Sequence, residues 1–146
     1  MNKTVGTSVF LICVLASGMV LADQNGHMKF VNELPHEIVV DILHSDGRPQ
    51  KGNTIKAGKG NSFKFGAGGA CKDKSRLYTV KKTDGTILAS GGFTVVGETY
   101  VAARGGGSTE CAMRPEKNPT TEPQTGFTLT YKKPKTNRGE FTIGKE

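Results

Sequence analysis

Apolar and polar residues alternate with a period of two along several short stretches of this chain, and this pattern predicts β-strands. The clearest stretch is 37–44, EIVVDILH, in which Ile38, Val40 and Ile42 share one side of an extended chain. Such alternation indicates a strand with one buried face. Shorter stretches with strand character lie at residues 28–33, 53–57, 62–65, 93–96, 100–103, 126–131 and 141–143.

Turn-forming residues recur between these stretches. Asp84-Gly85, flanked by LYTVKK and TILAS, predicts a hairpin over 77–90 with a type I′ turn, and Gly97-Glu98 predicts the turn of a second hairpin. No window sustains helical periodicity, and the chain contains 20 glycines. We therefore expect an all-β fold, a small antiparallel β-sandwich or partly open barrel of about seven to nine short strands.

The apolar sides of the predicted strands supply the expected core. Its members are Ile38, Val40, Ile42, Phe63, Phe65, Val80, Phe93, Val95 and Val101. Residues 114–125 are rich in Pro and Thr and lack apolar periodicity, so we predict a loop there before the C-terminal strands.

The first 22 residues have a different pattern from the rest of the chain. Lys3 precedes a largely apolar run over 5–20, and small residues end this segment at Ala22. This layout predicts a secretory signal peptide that is cleaved, and it leaves a single domain over 23–146 with no transmembrane segment. A retained membrane anchor is the alternative, but the run is shorter than the roughly 20 apolar residues of a spanning helix.

Export changes the interpretation of the cysteines. Cleavage removes Cys13 and leaves Cys71 and Cys111, which in an oxidising compartment are expected to form one disulfide. This disulfide would stabilise the fold by roughly 3–4 kcal/mol. We expect the protein in the periplasm or outside the cell. A bacterial source is favoured because Pro119 spoils the glycosylation sequon that begins at Asn118.

The chain is basic, with a formal net charge of +7, and this favours anionic partners. The densest basic segment follows Tyr131, and its candidate polyanion-binding residues are Lys132, Lys133, Lys135 and Arg138. The alternative is that lysine and proline here protect an edge strand from aggregation. We do not expect nucleic acid as a partner, because the protein is exported and lacks interleaved aromatic residues.

Patterns for catalysis and metal binding are weak. The glycine-rich stretches lack phosphate-loop spacing, there is no G-x-S-x-G elbow, and the carboxylates are scattered singly. We therefore expect no enzyme activity and no cofactor. No metal site is predicted, although His27, Met28 and His36 are weak candidates for copper because thioether and imidazole ligands suit that metal.

These observations predict an exported, non-enzymatic β-sandwich protein that binds an unknown protein partner in the cell envelope or outside the cell, including an inhibitor or immunity protein. One alternative is a cationic protein that binds an anionic glycan or lipid surface through its basic C-terminal segment. A second alternative is a small copper carrier or an enzyme.

Overall fold

The computed structural model describes residues 25–44, 46–65, 74–102, 106–121 and 123–146. These residues form nine strands and no helix, which confirms the predicted all-β class. The strands are β1 (Gly26–Asn32), β2 (Ile38–Leu43), β3 (Pro49–Ile55), β4 (Gly60–Phe65), β5 (Lys74–Lys82), β6 (Ile87–Ala102), β7 (Gly106–Thr121), β8 (Phe127–Lys135) and β9 (Arg138–Lys145). The predicted signal peptide lies outside the described residues. The described part contains no helix that is long and apolar enough to cross a membrane.

The strands form two sheets. The four-stranded sheet has the order β4-β1-β9-β8, and the five-stranded sheet has the order β3-β2-β5-β6-β7. All neighbouring strands are antiparallel except β1 and β9, which are parallel. This pairing places the first and last described strands side by side in the centre of one sheet, although the chain between them crosses to the other sheet and back twice.

Aromatic side chains join the inner faces of the two sheets. Phe30 on β1 lies with its ring centroid 5.7 Å from that of Phe63 and 5.4 Å from that of Phe141, both in its own sheet. Its centroid is also 5.3 Å from that of Tyr78 on β5, in the other sheet. Eight predicted core residues are buried, namely Ile38, Val40, Ile42, Phe63, Phe65, Val80, Phe93 and Val95. The side chain of Val101 is outside the described part.

The hairpin between β5 and β6 forms as predicted, but its turn differs from type I′. A type I′ turn needs a positive φ at both central residues, here Asp84 and Gly85. Gly85 has a φ of 91°, but Asp84 does not have a positive φ. The Asp84 carboxylate instead accepts a hydrogen bond of 2.9 Å from the Thr86 amide, which stabilises a longer turn. The register therefore shifts, so that Val80 pairs with Ala89 but Lys81 pairs with Ile87.

The predicted second hairpin within 93–103 is wrong. β6 runs without a turn through Gly97 and Glu98, because β7 pairs with it residue by residue in this region. Gly97 lies opposite Cys111, and the ladder continues to Ala102 opposite Gly106. β6 therefore continues past Gly97-Glu98 to Ala102, and no turn forms at the predicted position.

The predicted loop over 114–125 is also largely wrong, since β7 continues to Thr121. Proline is tolerated here because β7 is an edge strand, where an absent N–H need not break the ladder. Pro115 and Glu116 lie in register opposite Phe93 and Gly92, and the register then shifts so that Thr121 lies opposite Ser90. The irregularity predicted from Pro and Thr is thus a bulge within the strand.

Hydrogen bonds link the edge strands of the two sheets at both lateral edges of the sandwich. On one side, the Met113 amide of β7 donates to the Thr136 carbonyl at 3.1 Å, and the Tyr131 hydroxyl of β8 donates to the Met113 carbonyl at 3.2 Å. On the other side, the Asn61 amide of β4 donates to the Asn53 side-chain oxygen of β3 at 3.3 Å. The fold is thus a two-sheet sandwich with partly closed sides, and its two outer faces are the broad surfaces available for binding.

Candidate binding surfaces

Four basic residues form a row across the outer face of the four-stranded sheet. The register places His27 of β1 opposite Lys64 of β4 on one side and opposite Arg138 of β9 on the other. Arg138 in turn lies opposite Lys135 of β8. Residues directly opposite each other share one face of a sheet. Lys64, Arg138 and Lys135 are exposed, and His27 is half-buried. We call these four residues the basic row.

The neighbouring row on the same face contains two lysines and one carboxylate. Glu140 of β9 lies between Lys29 and Lys132, with its carboxylate oxygens 3.4 Å and 2.8 Å from their ammonium nitrogens. The hydrogen bond from Lys132 is the main reason that the pKa of Glu140 lies below its usual value, and the charge of Lys29 acts in the same direction, whereas partial burial opposes them. Glu140 is therefore ionised and is engaged by the two lysines of its own row.

A pocket of about 280 Å³ lies along these two rows. His27, Lys29 and Ser62 form its walls on the β1 and β4 side, and Pro134, Arg138, Gly139 and the acid Glu140 form them on the β8 and β9 side. The imidazole, ammonium, hydroxyl and guanidinium groups of these walls are all able to donate hydrogen bonds to an anion.

The structure places three of the four predicted polyanion-binding residues, Lys132, Lys135 and Arg138, on this outer face. Lys133 is exposed but lies where the β8–β9 register shifts, so it belongs to neither row. Because β8 is an edge strand, protection of that edge remains a competing explanation for its lysines. Sequence reasoning missed Lys29 and Lys64, since only the strand order brings them beside the C-terminal segment.

The three weak copper candidates do not converge. His27 faces outward at the start of β1, whereas the adjacent Met28 is fully buried on the inner face. His36 lies beyond the opposite end of β1, with Nδ1 3.1 Å from the Glu37 carbonyl oxygen. Within the described residues, no group of three or more His, Cys, Asp or Glu side chains could hold a metal ion.

Cys111, one of the two cysteines predicted to form a disulfide, is buried on β7 opposite Gly97. Its expected partner, Cys71, lies outside the described residues. The disulfide therefore stays a prediction.

The outer face of the five-stranded sheet differs in carrying exposed large hydrophobic side chains among its polar residues. Among the described residues, the large hydrophobic side chains that are exposed are Leu43, Leu77 and Ile87, at 40%, 42% and 50%. Leu43 and Leu77 lie directly opposite each other on β2 and β5, and Ile87 lies opposite Lys81. All three are on this one outer face, and we call them the apolar patch.

A groove of about 330 Å³ lies at the leucine pair of the apolar patch. Leu43 and Leu77 line it together with Pro49, Asp41 and Thr79. The Lys81 ammonium nitrogen lies 2.5 Å from a carboxylate oxygen of Asp41, so the charge on the rim is neutralised within the face itself. The groove therefore offers apolar walls and an electrically balanced rim.

No protein-family model matches the chain, and searches of curated proteins and of solved structures found no significant similarity. The functional argument therefore depends on the fold and on the chemistry of its two outer faces.

Proposed function

We propose that the chain is an exported, non-enzymatic protein that acts by binding a protein partner through the apolar patch. The observation that carries this proposal is the confinement of Leu43, Leu77 and Ile87 to one outer face. Single exposed apolar residues are ordinary on protein surfaces, whereas apolar surface gathered on one face with polar groups at its rim is typical of interaction sites.

The chemistry of the groove favours a protein segment with an apolar side chain as its occupant. Leu43 and Leu77 would lose their remaining exposure against such a side chain, which contributes roughly 1 kcal/mol for each leucine because each is only partly exposed beforehand. The Thr79 hydroxyl and the Asp41 carboxylate lie at the groove and could bond polar groups of the same segment. A hydrophilic polyanion would gain little here, because Lys81 is already paired with Asp41.

Export is the part of the proposal that rests on the sequence alone. The segment 1–22 has the pattern of a cleaved signal peptide, and the two remaining cysteines suit an oxidising compartment. N-terminal sequencing of the protein from its native cells should begin at Asp23. A chain that keeps Met1 and remains inside the cell would contradict export.

The binding proposal is tested by site-specific photo-crosslinking in the native envelope. A photo-reactive amino acid at Thr79, inside the groove, should give one discrete adduct with a partner protein. The matched control carries the same amino acid at Thr130, an exposed threonine on the other sheet, and should not give this adduct. The double variant Leu43→Ser/Leu77→Ser should lose the adduct from position 79. An adduct that persists in this variant, or that forms equally from position 130, would overturn the proposal.

A further inference from the structure

We propose that the basic row binds a linear polyanion, a polysaccharide whose carboxylate, sulfate or phosphate groups lie along the row. This site is on the opposite side of the sandwich from the apolar patch and is a second binding function. The four residues of the row come from four adjacent strands. Since neighbouring strands are about 4.8 Å apart, the row spans about 14 Å, enough to meet more than one anionic group of a chain.

The row is an arrangement that the fold itself does not require. Like charges directly opposite each other on a sheet are destabilising, and Arg138 and Lys135 are in this position. The neighbouring row avoids the problem by placing Glu140 between two lysines. Within the described part of the chain, neither Lys64, Lys135 nor Arg138 forms an ion pair with an acid. Residues that disfavour the folded state locally and lie together on a surface are most simply explained by binding.

The pocket is shared by the two rows, and its His27, Ser62 and Arg138 side chains give one anionic unit a place beside the basic row, while the Glu140 carboxylate at the same pocket is engaged by Lys29 and Lys132. Its volume of about 280 Å³ is just below the range of roughly 300–1,000 Å³ that is typical of whole small-molecule sites. One charged sugar of a longer chain suits this volume. The Arg138 guanidinium can bind an oxyanion through two parallel hydrogen bonds, whereas Lys64 and Lys135 act as point charges.

Glu140 determines the direction in which the polymer lies. Its ionised carboxylate holds Lys29 and Lys132 and repels anionic groups from that row. The path of lowest repulsion therefore follows the basic row across the strands, from Lys64 to Lys135, rather than along them.

A polysaccharide is favoured over a membrane surface because, among the described residues, Pro134 is beside the basic row but no exposed large hydrophobic side chain that could enter a bilayer lies there. Peripheral membrane binding usually combines cationic residues with buried apolar area. In the described residues, the exposed large hydrophobic side chains are all on the other sheet, facing away from the row.

The test compares binding of the mature protein to dextran sulfate with binding to neutral dextran. The variant Lys64→Gln/Arg138→Gln removes two charges from the row. The control Lys56→Gln/Lys145→Gln removes the same charge from two exposed positions outside the basic row, after β3 and at the end of β9. We expect the row variant to bind dextran sulfate about tenfold more weakly and with a shallower salt dependence, while the control changes by less than about twofold.

Three results would overturn the proposal. Equal weakening by both variants would show that only net charge matters, and binding to neutral dextran as tight as to dextran sulfate would exclude an anion site. Row-dependent binding to phosphatidylglycerol vesicles without binding to dextran sulfate would assign the row to a membrane instead. The unfolding midpoint of the row variant should be no lower than that of wild type, because the substitutions relieve repulsion, and this measurement serves as the folding control.

Discussion

The two outer faces of the sandwich are built by the same alternation of side chains but have opposite chemistry. Across the four-stranded sheet, the basic row places Lys64, His27, Arg138 and Lys135 in one line. Across the five-stranded sheet, the charges of Asp41 and Lys81 are paired with each other, and Leu43, Leu77 and Ile87 are exposed. Because the shared core does not require this difference between the outer faces, we propose that it reflects what each of them binds.

The inner faces, in contrast, belong to one shared core. Phe30 lies under the basic side of the molecule and Tyr78 under the apolar side, and their rings are in contact. Substitutions in the core should therefore impair both faces together, whereas surface substitutions should affect one face only.

The largest effect is expected from Phe30→Ala. Phe30 is 2% exposed and contacts aromatic rings in both sheets, so its removal should lower the free energy of unfolding by about 3–5 kcal/mol. Urea denaturation measures this change, and both binding activities should fail together on warming. Thr130→Ala, an exposed control, should change the stability by less than about 0.5 kcal/mol. Loss of one binding activity while the other persists would contradict the shared core.

The next effect concerns the predicted disulfide. The variant Cys71→Ala/Cys111→Ala should lose roughly 3–4 kcal/mol of stability yet keep both binding activities at low temperature, since Cys111 is buried and belongs to neither surface. Mass spectrometry after thiol labelling without reductant provides the check on wild type. Two labelled thiols in the purified mature protein would show that the disulfide is absent.

A smaller effect is expected at alkaline pH. Burial raises the pKa of Tyr78 from 10.0 to about 12, so the folded state keeps this phenol protonated in a range where the unfolded chain releases the proton. The resulting stabilisation is present below pH 10 and is lost as the pH rises toward about 12. Tyr78→Phe removes the group, and its stability should fall less than that of wild type in urea titrations over this window. Parallel losses in the two proteins would contradict the assignment.

The smallest effect is expected from Glu140→Gln, which should change the stability and the affinity for a polyanion in opposite directions. Glu140→Gln removes the carboxylate that holds Lys29 and Lys132, so we expect a slight decrease in thermal midpoint. The same change removes the group that repels anions, so affinity for dextran sulfate should rise by about twofold. Binding of the apolar patch to its partner should not change. Weaker binding of dextran sulfate would show that Glu140 contributes to the site rather than opposing the ligand.

The local elements could be predicted from sequence because alternation with a period of two is visible in a single strand. EIVVDILH predicted β2 and its buried face, and the eight predicted core residues whose side chains the structure describes are all buried, but the core aromatic residues Phe30, Tyr78 and Phe141 were not predicted. Strand continuity was harder to predict. Gly97-Glu98 and the prolines after Arg114 have the composition of strand breaks, but β6 and β7 pair at both positions. Only the segment after Glu116 contains a bulge.

The surfaces could be predicted only in part. The basic segment at 132–138 was visible, whereas His27 and Lys64 join it only because β1 lies between β4 and β9. The apolar patch likewise depends on the register that places Leu77 opposite Leu43. Short-range patterns do not specify strand order, since the pairing partners are far apart in the chain.

The central claim is that the two outer faces bind separate ligands independently. Photo-crosslinking from position 79, in the presence and absence of saturating dextran sulfate, tests this claim most directly. We predict the same yield of the partner adduct in both conditions, because the polymer occupies the opposite side of the sandwich. Suppression of the adduct by dextran sulfate, but not by neutral dextran, would contradict the claim and show that both ligands compete for one surface.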